Sequence, residues 1–203
     1  GDCQSCHANE THAWQTSHHA KAMQVPNRET VMAPFNGESA TFSGLTARFF
    51  VNGSDDWQPG SSILDPPSKK PSIAALDQLF EPSEFKIELS DKQRPGKTDA
   101  AVYPVIYVFG VSPLQQYLIE RAPGQLHVAP FAFDTRPASE GGQTWFHLDE
   151  KAGLPRHPRF DWDQPLQSWN GMCADCHSTG LTRGFDPGTQ RFESEFTAVS
   201  VGC

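Results

Sequence analysis

Val102-Tyr103-Pro104-Val105-Ile106-Tyr107-Val108-Phe109-Gly110-Val111 is a run of β-branched and aromatic residues. Such a run predicts a well-buried strand. The apolar stretch is too short, and too interrupted by Pro104 and Gly110, to span a bilayer as a helix. Working outward, Phe85-Lys86-Ile87-Glu88-Leu89 alternates apolar and polar and reads as a half-buried strand, with the polar segment 91–99 and its Pro95-Gly96 as the turn between the two. Downstream, 113–119 reads as a short helix with proline at its first position. Residues 125–133 and 144–148 read as two further strands, and 150–168 as irregular. Upstream, 42–51 suggests one or two strands, 54–72 a surface loop and 73–80 a short helix. Residues 8–24, without Gly or Pro, predict a helix ended by Pro26.

At the two ends of this β-rich middle the same pentapeptide recurs, as Cys3-Gln4-Ser5-Cys6-His7 and Cys173-Ala174-Asp175-Cys176-His177. Cys-x-x-Cys-His is the attachment pattern of a c-type haem. The two thiols add across the porphyrin vinyl groups, and the adjacent histidine holds the iron from one side. A zinc site made of two Cys-x-x-Cys knuckles is the competing reading, but zinc does not require a histidine directly after each second cysteine. Cys203, the fifth cysteine, has three open readings: a free thiol, half of an intermolecular disulfide, or the first cysteine of a third haem motif.

His7 and His177 are the proximal ligands on this reading, which leaves His12, His18, His19, His127, His147 and His157. Met23, Met32 and Met172 are alternative sixth ligands, and methionine would raise the potential. With histidine abundant, bis-histidine ligation is expected. On a helix His18 and His19 would point about 100° apart and could face different haems, and Ala20 and Ala22 would leave room for a porphyrin. Their bland alternative is a solvated face. His147, between Trp145-Phe146 and Leu148, is either a ligand or a core histidine bonded to a backbone carbonyl. His12, His127 and His157 read as packing or surface residues.

The chain of 203 residues suits one domain spanning 1–203, with the first haem site and distal-ligand helix in 1–30, the β-rich middle in 40–150, and the second site with the possible start of a third in 165–203. The expected fold class is α+β: a β-rich central region flanked by short helices carrying the haem sites, rich in loops. Hydrophobic residues make up 37% and Gly plus Pro number 33, so a modest side-chain core is expected, completed by the porphyrins. The formal charge of −8 argues against nucleic acid and anionic membranes as partners and favours cationic patches on redox proteins. No transmembrane segment is expected. Because haem c is attached outside the bacterial cytoplasmic membrane, the expected location is periplasmic or extracellular, with Gly1 following a cleaved signal peptide.

Trp14-x-x-Ser17-His18-His19-Ala20-x-Ala22-Met23, Pro113-Leu114-Gln115-Gln116-Tyr117-Leu118, Gly141-Gly142-Gln143-Thr144-Trp145-Phe146-His147-Leu148 and Trp169-Asn170-x-Met172-Cys173 join the motifs as landmarks along nearly the whole chain. With them the chain resembles a family of multihaem c-type cytochromes often fused to tetratricopeptide repeats, here without the repeat region. The resemblance implies that His19 is a distal ligand and that Val201-Gly202-Cys203 opens a third site, Val-Gly-Cys-x-x-Cys-His. It also sets Asp161-Trp162 where a His-Trp pair is expected, so one ligand of the family is missing. The function implied is electron transfer through two haems c, with a third through Cys203. An extension is a head-to-tail homo-oligomer or filament. The alternatives are a multihaem redox enzyme with one open iron position, acting on a small nitrogen or sulfur compound, and a partner-binding module whose repeats lie in a longer precursor.

Overall fold

Alternating burial sets out the first hairpin. In β2 (Leu45–Val51) the residues Leu45, Ala47, Phe49 and Val51 are buried, while those between them are partly exposed. It pairs antiparallel with β1 (Asn36–Phe42) through a two-residue turn, Ser43-Gly44, with φ of 48° and 78°. Two positive φ angles make a turn whose twist matches the flanking strands, and glycine carries one of them without strain. The computed structural model describes residues 5–52, 84–93 and 100–202. The loop read over 54–72, the helix over 73–80 and most of the turn over 91–99 lie outside the described residues.

Six more strands complete the sheet: β3 (Phe85–Asp91), β4 (Ala101–Phe109), β5 (Leu114–Ala122), β6 (Gln125–Val128), β7 (Phe131–Asp134) and β8 (Thr144–His147). Among the described residues they form one antiparallel eight-stranded sheet in the order β1-β2-β3-β4-β5-β7-β8, with β6 also on β5. The sheet curls until its first and last strands meet. Phe49 of β2 lies flat on Trp145 of β8, ring centroids 3.5 Å apart, and Phe42 of β1 stacks on His147 of β8 at 4.6 Å. Phe35 fills the centre, edge-on to Phe49, Phe85, Tyr117 and Trp145. The interior of the sheet is filled by the chain's own aromatic and aliphatic side chains.

The helix read over 113–119 is also corrected, because β5 occupies it. Its alternation was hidden by a polar residue in a core position. Gln115 is buried between β4 and β7, where its Nε2 donates to Thr30 O and its Oε1 accepts from Met32 N and Tyr117 Oη. A fully bonded amide sits in a core at little cost. In β4 a register shift between Val105 and Tyr107 turns Tyr107 and Phe109 away from Val105 and Val108. Consequently β4 and β5 are covered on both faces. Their outer face packs Tyr107, Phe109 and Leu118 against Met23, Trp169, Ala174 and Phe196.

The predicted 8–24 helix is shorter than read. Helix α1 covers Ala8–Gln15. The hydroxyl of Ser17 donates to Trp14 O at 2.6 Å and accepts from Ala20 N, and Thr16 Oγ1 donates to Ala13 O. Hydroxyls placed so offer the last carbonyls a partner other than the next turn of helix. Residues 125–133, read as one strand, are two, β6 and β7. At the other end the strand pairs β9 (Ser178–Thr179) with β12 (Ala198–Val199) and β10 (Phe185–Asp186) with β11 (Arg191–Phe192) make a narrow antiparallel ribbon. No described helix is long and apolar enough to cross a membrane.

Candidate haem-attachment sites

The second motif is fixed to the outer face of β4–β6 by the residues just before it. Trp169 and Asn170, in the short helix Trp169–Met172, are buried. Asn170 Oδ1 accepts from Leu126 N of β6 at 2.8 Å, and its Nδ2 donates to Ser194 Oγ on the ribbon. A second short helix, Ala174–His177, follows and carries the motif. Cys173 is half-buried against the outer cluster, and burial, with the Cys176 sulfur beside it, pushes its thiol pKa up. Cys176 is exposed.

His177 is held from two sides. Its ring meets Phe109 edge-on at 5.3 Å, and its Nδ1 lies 3.3 Å from Ala22 O. With Nδ1 turned to a carbonyl, that nitrogen carries the proton and Nε2 keeps its lone pair on the opposite edge of the ring. This is the arrangement by which proteins orient a metal-bound histidine.

In the first motif the described residues, Ser5 to His7, are exposed. Cys3 lies outside the described residues. Cys6 is exposed beside Ser5 Oγ, and His7 is exposed at the start of α1, where its carbonyl accepts from Thr11 N. No residue of α1 is buried by protein. An isolated helix of this length is marginal in water and takes its stability from packing.

His18 and His19 are exposed, and they stand in a turn rather than on a helix, so the argument from helical spacing falls. Their carbonyls accept from Lys21 N and Ala22 N, both at 3.2 Å. The same segment grips the far end of the chain: Trp14 Nε1 donates to Val201 O at 2.7 Å, and Val201 N donates to His19 O at 3.2 Å. Gly202 N is held by Thr179 Oγ1, two residues after His177. Cys203 itself lies outside the described residues.

His147 is buried in β8 between Phe42 and Phe131, and its Nδ1 accepts from Asp149 N. Its bonding partner is thus a backbone N–H and not the carbonyl of the core reading. Burial pushes its pKa below the ordinary value. His127 is buried with Nδ1 on Trp162 O, while His157 is exposed against Phe160. Of the methionines, Met23 is 1% exposed inside the outer cluster, and Met172 is 57% exposed. Asp161, in the place of the expected histidine, shares Arg156 with Asp91 in a buried cluster at 2.6 and 2.5 Å. Among the described residues no three His, Cys, Asp or Glu side chains gather as a metal site. The donor set of the second motif fits haem: two thiols, one capping the short helix and one within it, and an imidazole with Nδ1 already engaged.

Residues 2–40 match the family model described as cytochrome c554 and c-prime. The match covers the first motif, α1 and the turn bearing His18 and His19. It supports a c-type cytochrome, with haem c and electron transfer as its implied chemistry. No curated protein and no solved structure matches the chain. What sequence reading missed is the Ala22 carbonyl behind His177 and the Trp14–Val201 clasp. A backbone carbonyl leaves no signature in a sequence.

Proposed function

We propose that this protein transfers electrons as an exported multihaem c-type cytochrome, located in the periplasm or outside the cell. Cys3 and Cys6 would hold one haem with His7 as proximal ligand, and Cys173 and Cys176 a second with His177. Cys203 would open a third site. When bound, haem c supplies one-electron chemistry at its iron. The chain's part is to fix the ring orientation of its histidines, to wall the second site with Phe109 and the outer cluster, and to keep His18 and His19 exposed as sixth-ligand candidates. The observation that carries this reading is the doubled Cys-x-x-Cys-His, with the second histidine's Nδ1 turned onto a backbone carbonyl at 3.3 Å.

The Trp14–Val201 clasp supports a short path between sites, because it ties the segment after the first motif to the ribbon after the second. A head-to-tail homo-oligomer would extend that path between copies and would cover the exposed α1. Intact mass of the exported protein tests the reading. Two haem increments are expected from the two complete motifs, and three if Cys203 also carries a haem. Mass without any increment would refute it. Low-spin, six-coordinate spectra that stay unchanged under carbon monoxide are expected of an electron carrier, whereas carbon monoxide binding to a reduced haem would indicate an enzyme.

A further inference from the structure

We propose that the 18–24 segment serves the proximal side of the second haem: Met23 is a positioning residue that holds the Ala22 carbonyl against His177 Nδ1, and His18 and His19 are not the sixth ligand of that haem. The inference rests on the haem reading above. Ala22 O stands 3.3 Å from Nδ1, and the iron-binding nitrogen is on the opposite edge of the imidazole. A haem iron held by His177 would be bound through Nε2, on the edge of the ring away from Ala22. Residues 18–22 form a tight turn closed by Lys21 N to His18 O and Ala22 N to His19 O, and the turn ends at the Ala22 carbonyl beside His177. A side chain from it would have to pass round the porphyrin to reach the far face.

The carbonyl is anchored on both sides. Before it, the turn fixes Ala22 N. After it, Met23 is driven into the outer cluster with Phe109, Trp169 and Ala174, 1% exposed, and Gln24 exchanges two backbone bonds with Val108 of β4 at 2.8 and 2.9 Å. The Met23 side chain is therefore fixed by packing. It is the wedge that sets how closely Ala22 O approaches His177. A hydrogen bond from Nδ1–H makes the imidazole a stronger donor to iron and favours the oxidised state, so loosening it raises the potential.

Redox titration of the haem-loaded full chain tests this, the second haem's step being the one lost in Cys173→Ala/Cys176→Ala. Met23→Ala is expected to move that step upward by roughly tenfold in its equilibrium, about 59 mV for one electron, and to leave the others in place. Met23→Leu, which refills the wedge, is expected to return it. His18→Ala/His19→Ala is expected to keep the second haem low-spin. Should Met23→Ala not fold, Gln24→Pro, which lacks the N–H given to Val108, is read the same way. A haem-loaded variant with an unmoved second step, or a high-spin second haem without His18 and His19, overturns the inference. Absence of haem from the wild-type protein would instead defeat the underlying reading.

Discussion

His127 shows how a single residue can answer to pH without belonging to a haem site. It is 3% exposed, with Nδ1 3.0 Å from Trp162 O. Burial lowers its pKa, and Arg121 nearby lowers it further, while the Trp162 carbonyl and Asp163 act in the opposite sense. In the unfolded chain the ring takes a proton near pH 6.5, while in the folded chain it resists until lower pH. Its contribution to stability is thus whole above about pH 6.5 and is lost as the pH falls from there toward the depressed folded value. Urea midpoints are expected to fall between pH 7 and pH 5, and His127→Gln is expected to flatten part of that fall. An equal slope in the variant would assign the effect to other groups. The sequence left His127 as either a packing or a surface residue. It did not show that the partner carbonyl comes from Trp162, because that contact spans 35 residues.

At the scale of elements, the strands that alternate cleanly were the legible ones. β3 and β8 lie where 85–89 and 144–148 were read, and β4 begins one residue before and ends two before the predicted run. β5 was misread because Gln115 broke the apolar alternation, and only partners from Thr30, Met32 and Tyr117 make that glutamine a core residue. Joining β5 to β6, Gly124 has φ of 74°, and a Cβ there would meet Phe192 O of the ribbon at 1.8 Å. The backbone strain alone costs about 1–3 kcal/mol for a residue with a side chain. Gly124→Ala is expected to destabilise the protein by at least that amount, read from the urea midpoint, and to loosen the ribbon, read from faster amide exchange at 185–192. A variant as stable as wild type would mean that the ribbon does not rest on this turn.

For the molecule as a whole, charge makes a prediction about redox partners testable. The formal net charge of −8 would grow with haem propionates, and association with a cationic redox protein would be steered by that field. Rates of electron exchange with a basic cytochrome are expected to fall as salt rises from about 0.01 M to 0.15 M, where the screening length shrinks from about 30 Å to 8 Å. A salt-independent rate would argue for an apolar docking face. The sequence by itself determined the two candidate attachment motifs, since Cys-x-x-Cys-His sets two thiols and an imidazole by covalent spacing alone. It likewise determined the β-rich middle, since side chains alternate along a strand whatever their neighbours do. Only the tertiary structure decided that the sheet closes on its own aromatic core, that Met23 is a buried wedge, and that the Ala22 carbonyl stands behind His177. Those outcomes depend on contacts between residues tens to more than a hundred positions apart, and local pattern carries no record of such distances.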